Sequence, residues 1–196
     1  MTDSIVKLAN VRLGFGDGIW KARASEDGKN PKFSCSLIFP PDHPCVPALK
    51  KAMIEAATAK WGAKAQETLK TLVAGQRVCL RNGDDKSNYD GFEGNLYISA
   101  SSKARPLVID ADKSQLTESD GRPYSGCYVN ATVSVWAQDN KFGKRINAQL
   151  RGVQFLKDGD AFGGGAPATT DEFEDVSGEG ADAAAPTGAD EDDIFG

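Results

Sequence analysis

Aromatic and positively charged side chains interleave at several places between residues 20 and 145. Together they suit unpaired nucleic acid, because bases stack on flat rings while cations pair with phosphates. Stacking is worth roughly 1–3 kcal/mol per base and accepts any base, so such binding is largely independent of sequence. The candidate ligands of single-stranded DNA are Trp20, Lys21, Arg23, Lys32, Arg81, Lys86, Tyr89, Tyr97, Lys103, Arg105, Tyr128, Trp136, Lys144 and Arg145.

Charge is divided sharply between two parts of the chain. Residues 1–158 hold all 23 Lys and Arg and 17 of the 28 acids, which gives a formal charge of +6. Residues 159–196 carry the other 11 acids and no cation. A basic body attracts polyanions, and a tethered acidic segment competes for the same surface. The division predicts a nucleic-acid-binding domain with an acidic tail that screens it.

The predicted tail, residues 159–196, consists mainly of Gly, Ala, Pro, Thr and acids. Such a segment buries too little apolar area to offset its ordering entropy, so we expect disorder. Its end is different, because four acids directly precede two apolar side chains: Asp190, Glu191, Asp192, Asp193, Ile194 and Phe195. An acidic run with an apolar tip predicts docking to a protein with a basic rim and an apolar pocket. A purely solubilising tail is the alternative.

Residues that could carry out catalysis or bind a metal are sparse. His43 is the only histidine and stands between prolines, which favours a capping or packing role. The four cysteines lack the close pairs that zinc sites need, so we expect reduced, mostly buried thiols. The acids around Asp84 do not have the spacing of a calcium loop. We therefore predict no enzymatic activity, no metal and no cofactor.

The ends and apolar runs of the chain predict its location. The first residues lack the basic flank and apolar run of a signal peptide. No stretch approaches the ~18 apolar residues of a membrane span. We expect a cytoplasmic protein without a membrane partner.

The elements that must position these side chains are mostly strands. Residues 126–138 alternate most regularly, with Val129 and Val133 on one face and Tyr128 and Trp136 on the other. Several further short strands follow the same period of two. Five or more bent strands favour a closed barrel over a sandwich, and the OB-fold is such a barrel.

A helical insertion and two irregular strand positions add detail to this mainly β prediction. Helical spacing of apolar residues predicts a helical insertion at about 44–73. The alternation changes phase at Asn10 and again near Gly152, which predicts β-bulges or barrel corners. The sequence therefore predicts an OB-fold-like closed barrel with one helical excursion.

Three segments carry a resemblance to a known family. They are Tyr124-Ser125-Gly126-Cys127-Tyr128-Val129-Asn130-Ala131, then Gly152-Val153-Gln154-Phe155 with Asp158-Gly159, and the early Ala9-Asn10-Val11-Arg12-Leu13. In these segments the chain resembles the single-stranded-DNA-binding proteins of tailed bacteriophages. The resemblance implies an OB-fold DNA-binding domain over residues 1–158 and a disordered acidic interaction tail over 159–196.

The resemblance also implies a role. It implies protection of unpaired DNA in phage replication or recombination, in the host cell cytoplasm. The tail would recruit replication or recombination proteins and compete with DNA, so we expect deletion of residues 160–196 to tighten DNA binding. Two other functions stay open: a protein-interaction adaptor that uses the tail without binding nucleic acid, and a duplex-DNA packaging protein. The sequence leaves the oligomeric state open, a homodimer included, as it does the site size and cooperativity.

Overall fold

A computed structural model describes residues 4–24 and 30–163 of the chain. These ranges contain seven strands and two α-helices. In chain order they are β1 Ser4–Gly14, β2 Phe33–Phe39, α1 Cys45–Trp61, α2 Ala65–Ala74, β3 Leu80–Asn82, β4 Leu96–Ser102, β5 Leu107–Ile109, β6 Tyr128–Asn140 and β7 Gly143–Lys157.

Five of the strands close into a barrel. The sheet order is β3-β4-β2-β1-β6-β7-β5, and an additional pairing between β4 and β7 closes the ring. That closing pair is parallel, with Ala100 opposite Ala148, whereas the other pairs within the ring are antiparallel. Closure removes the exposed strand edges that open sheets leave. The predicted OB-fold-like barrel is confirmed.

The barrel interior follows from the alternation of the long strands. Along β6, Val129, Val133 and Val135 are buried, and Ile146 and Leu150 of β7 are buried opposite them. Burying each side chain of this size contributes about 1.5–3 kcal/mol. The buried stripe of α1, which includes Leu49, Met53 and Ala57, packs on β1 and β6 and extends the same core.

The helical insertion and both predicted irregularities are present. The insertion predicted at about 44–73 is observed as α1 and α2, over residues 45–74. The pairing of β1 with β6 shifts register between Leu8 and Val11, and Asn10 has a positive φ of 54°. The pairing of β6 with β7 shifts at Gly152, where Thr132 is its partner. Both bulges bend their strands around the barrel.

Two further segments affect the boundaries of the elements. β3 is short, because Gln76 has a left-handed φ of 53° and pairing with β4 starts only at Leu80. Residues 159–163, which composition assigns to the predicted tail, pack against the barrel. Residues 164–196 lie outside the described ranges. They include six predicted partner-binding residues, Asp190, Glu191, Asp192, Asp193, Ile194 and Phe195.

No helix within residues 4–24 and 30–163 is long and apolar enough to cross a lipid bilayer.

Candidate nucleic-acid interface

A positively charged groove runs over the outer face of the barrel. It consists of two adjoining depressions of about 310 and 410 Å³ that share Ser101, Asn147 and Ala148. Seven cations line it, and no carboxylate does within the described part of the chain. We call this surface the basic groove; its cations are Arg23, Lys32, Arg77, Arg81, Lys86, Lys103 and Arg145.

The period of two in the β6–β7 hairpin places one wall of the basic groove. Ile146 points into the core, so Arg145 and Asn147 on either side of it point outward. On β6, Trp136 lies directly opposite Asn147 in the register and also points outward. Trp136 is 38% exposed. One aromatic ring and one guanidinium thus border the groove from the same hairpin.

The loop between β3 and β4, residues 83–94, supplies Lys86 at one end of the groove. The Lys86 ammonium lies 5.1 Å from the ring centre of Phe15, 5.4 Å from that of Phe92 and 4.8 Å from that of Tyr97. These cation–π contacts hold the ammonium in place while it lines the groove. Partial burial, helped by the nearby Arg81 charge, lowers the pKa of Lys86 below its ordinary value.

Tyr89, from the same loop, presents a second ring near this end. It is 47% exposed and meets Phe15 edge to face at 5.1 Å between ring centres. Phe15 itself lines the basic groove, so Tyr89 stands next to it. Of the predicted stacking residues, Trp136 and Tyr89 are therefore the two that combine exposure with proximity to the cations.

Arg77 and Phe15 also line the groove, although they are not among the predicted ligands. Arg77 comes there because its backbone carbonyl accepts a hydrogen bond from the Ile146 amide, at 3.0 Å, which fixes it beside β7. Phe15 follows the end of β1 in a left-handed conformation, with φ 54°. Neither position carries a periodic signal in the sequence. A count of cations near predicted strands would have found Arg77.

Four of the predicted ligands lie outside the basic groove, where each contacts another side chain: Lys21, Lys144, Arg105 and Trp20. Lys21 forms an ion pair with Glu118 at 2.6 Å, and this hydrogen-bonded carboxylate raises the pKa of Lys21. Lys144 lies 3.9 Å from Asp139. Arg105 lies over Trp20, 5.7 Å from its ring. The spacing of cations and rings in the sequence is therefore an incomplete guide to a continuous surface.

Tyr128 is also placed away from the groove. Two cations lie close to its ring, the Arg12 guanidinium at 5.5 Å and the Lys157 ammonium at 4.8 Å from the ring centre. Gly159 passes over one edge of the ring and partly covers it. The structure therefore does not bring Tyr128 together with Trp136, although both point to the polar side of β6.

The prediction that Tyr97 stacks on a base is wrong. The Tyr97 side chain is only 1% exposed, so neither face of its ring is open to a base. It packs against Phe92 at 5.1 Å and belongs to a small cluster with Ile38. The cause is the loop over residues 83–94, which covers the outer face of β4 at this point.

The four cysteine thiols are buried, and the single histidine lies beside the start of α1. Burial raises the pKa of the Cys35 thiol to about 12 and that of the Cys79 thiol to about 11, so neither is a thiolate near neutral pH. His43 accepts a hydrogen bond from the Cys45 amide at 3.1 Å, beside the start of α1. Within residues 4–24 and 30–163, no group of three His, Cys, Asp or Glu side chains is placed to hold a metal.

Comparison with known proteins identifies relatives that match most of the chain. A family model described as the Enterobacter phage Enc34 ssDNA-binding protein matches residues 4–184. Protein p50 of Acyrthosiphon pisum secondary endosymbiont phage 1 is 46% identical over 175 residues, which cover 88% of this chain and 94% of p50.

Two solved structures are also similar to the chain. The single-stranded DNA-binding protein from bacteriophage Enc34, in complex with ssDNA, is similar with a TM-score of 0.71 and 29% identity, over 82% of this chain and 90% of that one. The single-stranded DNA binding protein gp2.5 of bacteriophage T7 has a TM-score of 0.53 at 14% identity, over 93% and 100% of the two chains, and shows a common fold alone. The chain therefore belongs to the Enc34 phage ssDNA-binding protein family.

Proposed function

We propose that the chain binds single-stranded DNA along the basic groove, without reading the base sequence. The observation that carries this proposal is a continuous groove lined by seven cations, with an exposed Trp136 on one wall and no carboxylate among the described lining residues. The relative from phage Enc34 was solved in complex with ssDNA, which supports the same ligand class for this chain.

Binding divides between two kinds of contact. Cations such as Arg145, Arg81 and Lys103 pair with successive phosphates and release counterions. Trp136 and Tyr89 stack on bases, which every base permits because each has a flat π-face. Neither contact breaks or forms a covalent bond, so the function is protection of unpaired DNA and not catalysis. Its setting is phage DNA replication or recombination in the host cytoplasm.

The acidic tail gives this function a second part. Its 11 acids follow a basic domain, so tail and DNA compete for the same cations. Tethering holds such a competitor at an effective concentration on the order of millimolar. Displacement by DNA then frees Ile194 and Phe195, with the acids before them, to recruit replication or recombination proteins.

Tryptophan fluorescence tests DNA binding directly, because Trp136 lines the proposed path. The protein is titrated with oligo-dT and with duplex DNA of the same length at two salt concentrations. If about four phosphates are neutralised, log affinity for oligo-dT falls with log salt at a slope near −2.8, at ~0.7 per phosphate. No binding to oligo-dT at low salt would favour the adaptor function, and equal affinity for duplex would favour packaging.

A truncation tests the tail. Deletion of residues 164–196 keeps the packed residues 158–163 and removes ten of the eleven tail acids, so affinity for oligo-dT should rise. Unchanged or weaker binding would contradict tail competition. Deletion of residues 194–196 alone keeps the acids and should leave DNA affinity nearly unchanged while abolishing partner recruitment. Sedimentation of the full chain, with and without oligo-dT, distinguishes a monomer from a homodimer.

A further inference from the structure

The residues that follow β7 fold back across the barrel surface instead of leaving it. We call residues 158–163 the strap. The Tyr124 hydroxyl donates to the Asp158 carboxylate at 2.7 Å, and the Arg12 guanidinium donates to the Asp160 carbonyl at 2.8 Å. The Phe162 amide donates to the Ser125 carbonyl at 3.0 Å. The strap is thus bound along its whole length.

Two glycines make room for the strap. Gly126 has a φ of +103°, and a Cβ there would collide with the Asp160 carbonyl. Gly91 has a φ of +80°, and a Cβ there would collide with the Phe162 ring. Only glycine adopts such a backbone easily and leaves the space empty. The barrel and the loop over residues 83–94 therefore both have a surface shaped to receive the strap.

The strap ends against the loop that carries Lys86 and Tyr89. The Phe162 ring packs on the apolar cluster of Ile38, Phe92 and Tyr97, and the same cluster contacts the Lys86 ammonium. One residue further, the Gly163 amide donates to the Asp90 carboxylate at 3.0 Å. The Arg12 guanidinium lies over the Phe162 ring, 4.5 Å from its centre.

From these contacts we infer that Phe162 is a positioning residue of the DNA interface: wedged between Arg12 and Gly91, it braces the loop that holds Lys86 and Tyr89 at the end of the basic groove. The inference rests on the proposed single-stranded DNA binding. Without the ring, the loop loses its apolar support beside Gly91, and Lys86 no longer has a fixed place over the aromatic cluster. Phe162 itself lies outside the lining of the groove, so it acts through the loop.

The test compares Phe162→Ala with Phe142→Ala in the full chain. Phe142 is 75% exposed at the β6–β7 turn and does not line the groove, so it controls for loss of a phenyl ring. Phe162→Ala should weaken binding to oligo-dT about fivefold at 0.1 M salt and make the salt slope shallower by ~0.7, the share of one phosphate. Phe162→Leu, which keeps an apolar wedge, should recover most of the affinity. An unchanged slope in Phe162→Ala would overturn the inference.

A double variant and amide hydrogen exchange distinguish support of the loop by Phe162 from a general loss of stability. Lys86→Gln should make the slope of log affinity against log salt shallower by the same amount as Phe162→Ala. The double variant should then have the same slope as Lys86→Gln alone. Additive changes in slope would contradict the inference that Phe162 acts through Lys86. Amide exchange over residues 83–95 of the free protein should be faster in Phe162→Ala and unchanged in Phe142→Ala. If the wild type does not bind oligo-dT, the proposed function fails, and the exchange result alone decides whether Phe162 braces the loop.

Discussion

The basic groove and the strap are built from the same kinds of side chain and use them differently. In the groove, Arg145 and Lys103 border open space and have no ion pair with a described residue. At the strap, Arg12 donates to the carbonyls of Gly126 and Asp160 and stacks on Phe162. An arginine whose donors are occupied in this way holds the fold together. What surrounds a cation therefore decides whether it can serve a ligand.

Lys86 lies where the two regions meet. It lines the basic groove and also contacts the aromatic cluster on which Phe162 packs. A charge held by rings keeps less water than a free one, so less hydration is lost when a phosphate arrives. The comparison therefore predicts large effects in the groove, small effects at paired cations and a distinctive response from Lys86.

Reversal of two groove charges should have the largest effect. Arg81→Glu with Arg145→Glu sets two anions against the phosphates, so affinity for oligo-dT should fall on the order of a hundredfold at low salt. The salt slope should become shallower by about 1.4, since each lost phosphate contact removes ~0.7. Fluorescence anisotropy of labelled oligo-dT measures both quantities.

The matched control for that reversal is Lys50→Glu with Lys51→Glu. These lysines are exposed on α1 and line neither depression of the groove, and the change in net charge is the same. We expect a small loss from the general field alone. A comparable loss in the control would show that net charge governs binding and that the groove has no special part.

Removal of the exposed ring in the groove should have the next largest effect. Trp136→Ala should cost about 1–3 kcal/mol of binding free energy through lost stacking. Because stacking needs a base, the loss should be smaller on an oligonucleotide whose central nucleotides lack bases, and Trp136→Phe should recover part of it. Equal losses on both oligonucleotides would mean that Trp136 shapes the groove and does not stack.

A lysine in the groove and a lysine in an ion pair outside it should respond differently to loss of their charge. Lys103→Gln should weaken binding about fivefold at 0.1 M salt, as expected for one phosphate contact with a slope of ~0.7. Lys21→Gln should change it by less than about twofold, because exposed ion pairs such as Lys21–Glu118 already engage the charge. Anisotropy titrations of the two variants side by side give the ratio. A larger effect at Lys21 would extend the DNA path beyond the groove.

The fold could be predicted because its signals are local and periodic. The alternation of β6 places Val133 inside and Trp136 outside, and the phase changes at Asn10 and Gly152 mark real bulges. Barrel closure by the parallel pairing of β4 with β7 connects residues far apart in sequence. The number and bending of the strands suggested closure, but nothing in the sequence specified this pair.

The site could be predicted only in part, because its composition is local and its geometry is not. Lys103, which directly follows β4, and Arg145, on β7, both line the groove. Tyr97 is buried because a loop folds over β4, and strand alternation does not report such a cover. Composition assigns residues 159–163 of the strap to the tail, although Phe162 is an apolar residue with a packing partner.

The smallest predicted effect is the most specific to Lys86. Burial lowers its pKa, so as the pH rises toward the ordinary lysine value of 10.5, Lys86 loses its charge before exposed lysines do. Binding to oligo-dT should then weaken by up to one phosphate contact, while Lys86→Arg, which stays charged, should resist this change. Over the same window the unfolded chain holds the Lys86 proton that the folded chain has lost, so Lys86 by itself contributes a free energy of unfolding that rises with pH. The buried Cys35 and Cys79 thiols, whose pKa values are raised, contribute with the opposite sign in the wild type and in Lys86→Arg alike. The free energy of unfolding of the wild type minus that of Lys86→Arg should therefore rise with pH, while the affinity of the wild type for oligo-dT falls relative to that of Lys86→Arg. Parallel anisotropy and urea titrations across this pH range measure the two trends, and a wild type that matches Lys86→Arg in both would show that the aromatic cluster leaves Lys86 an ordinary surface lysine.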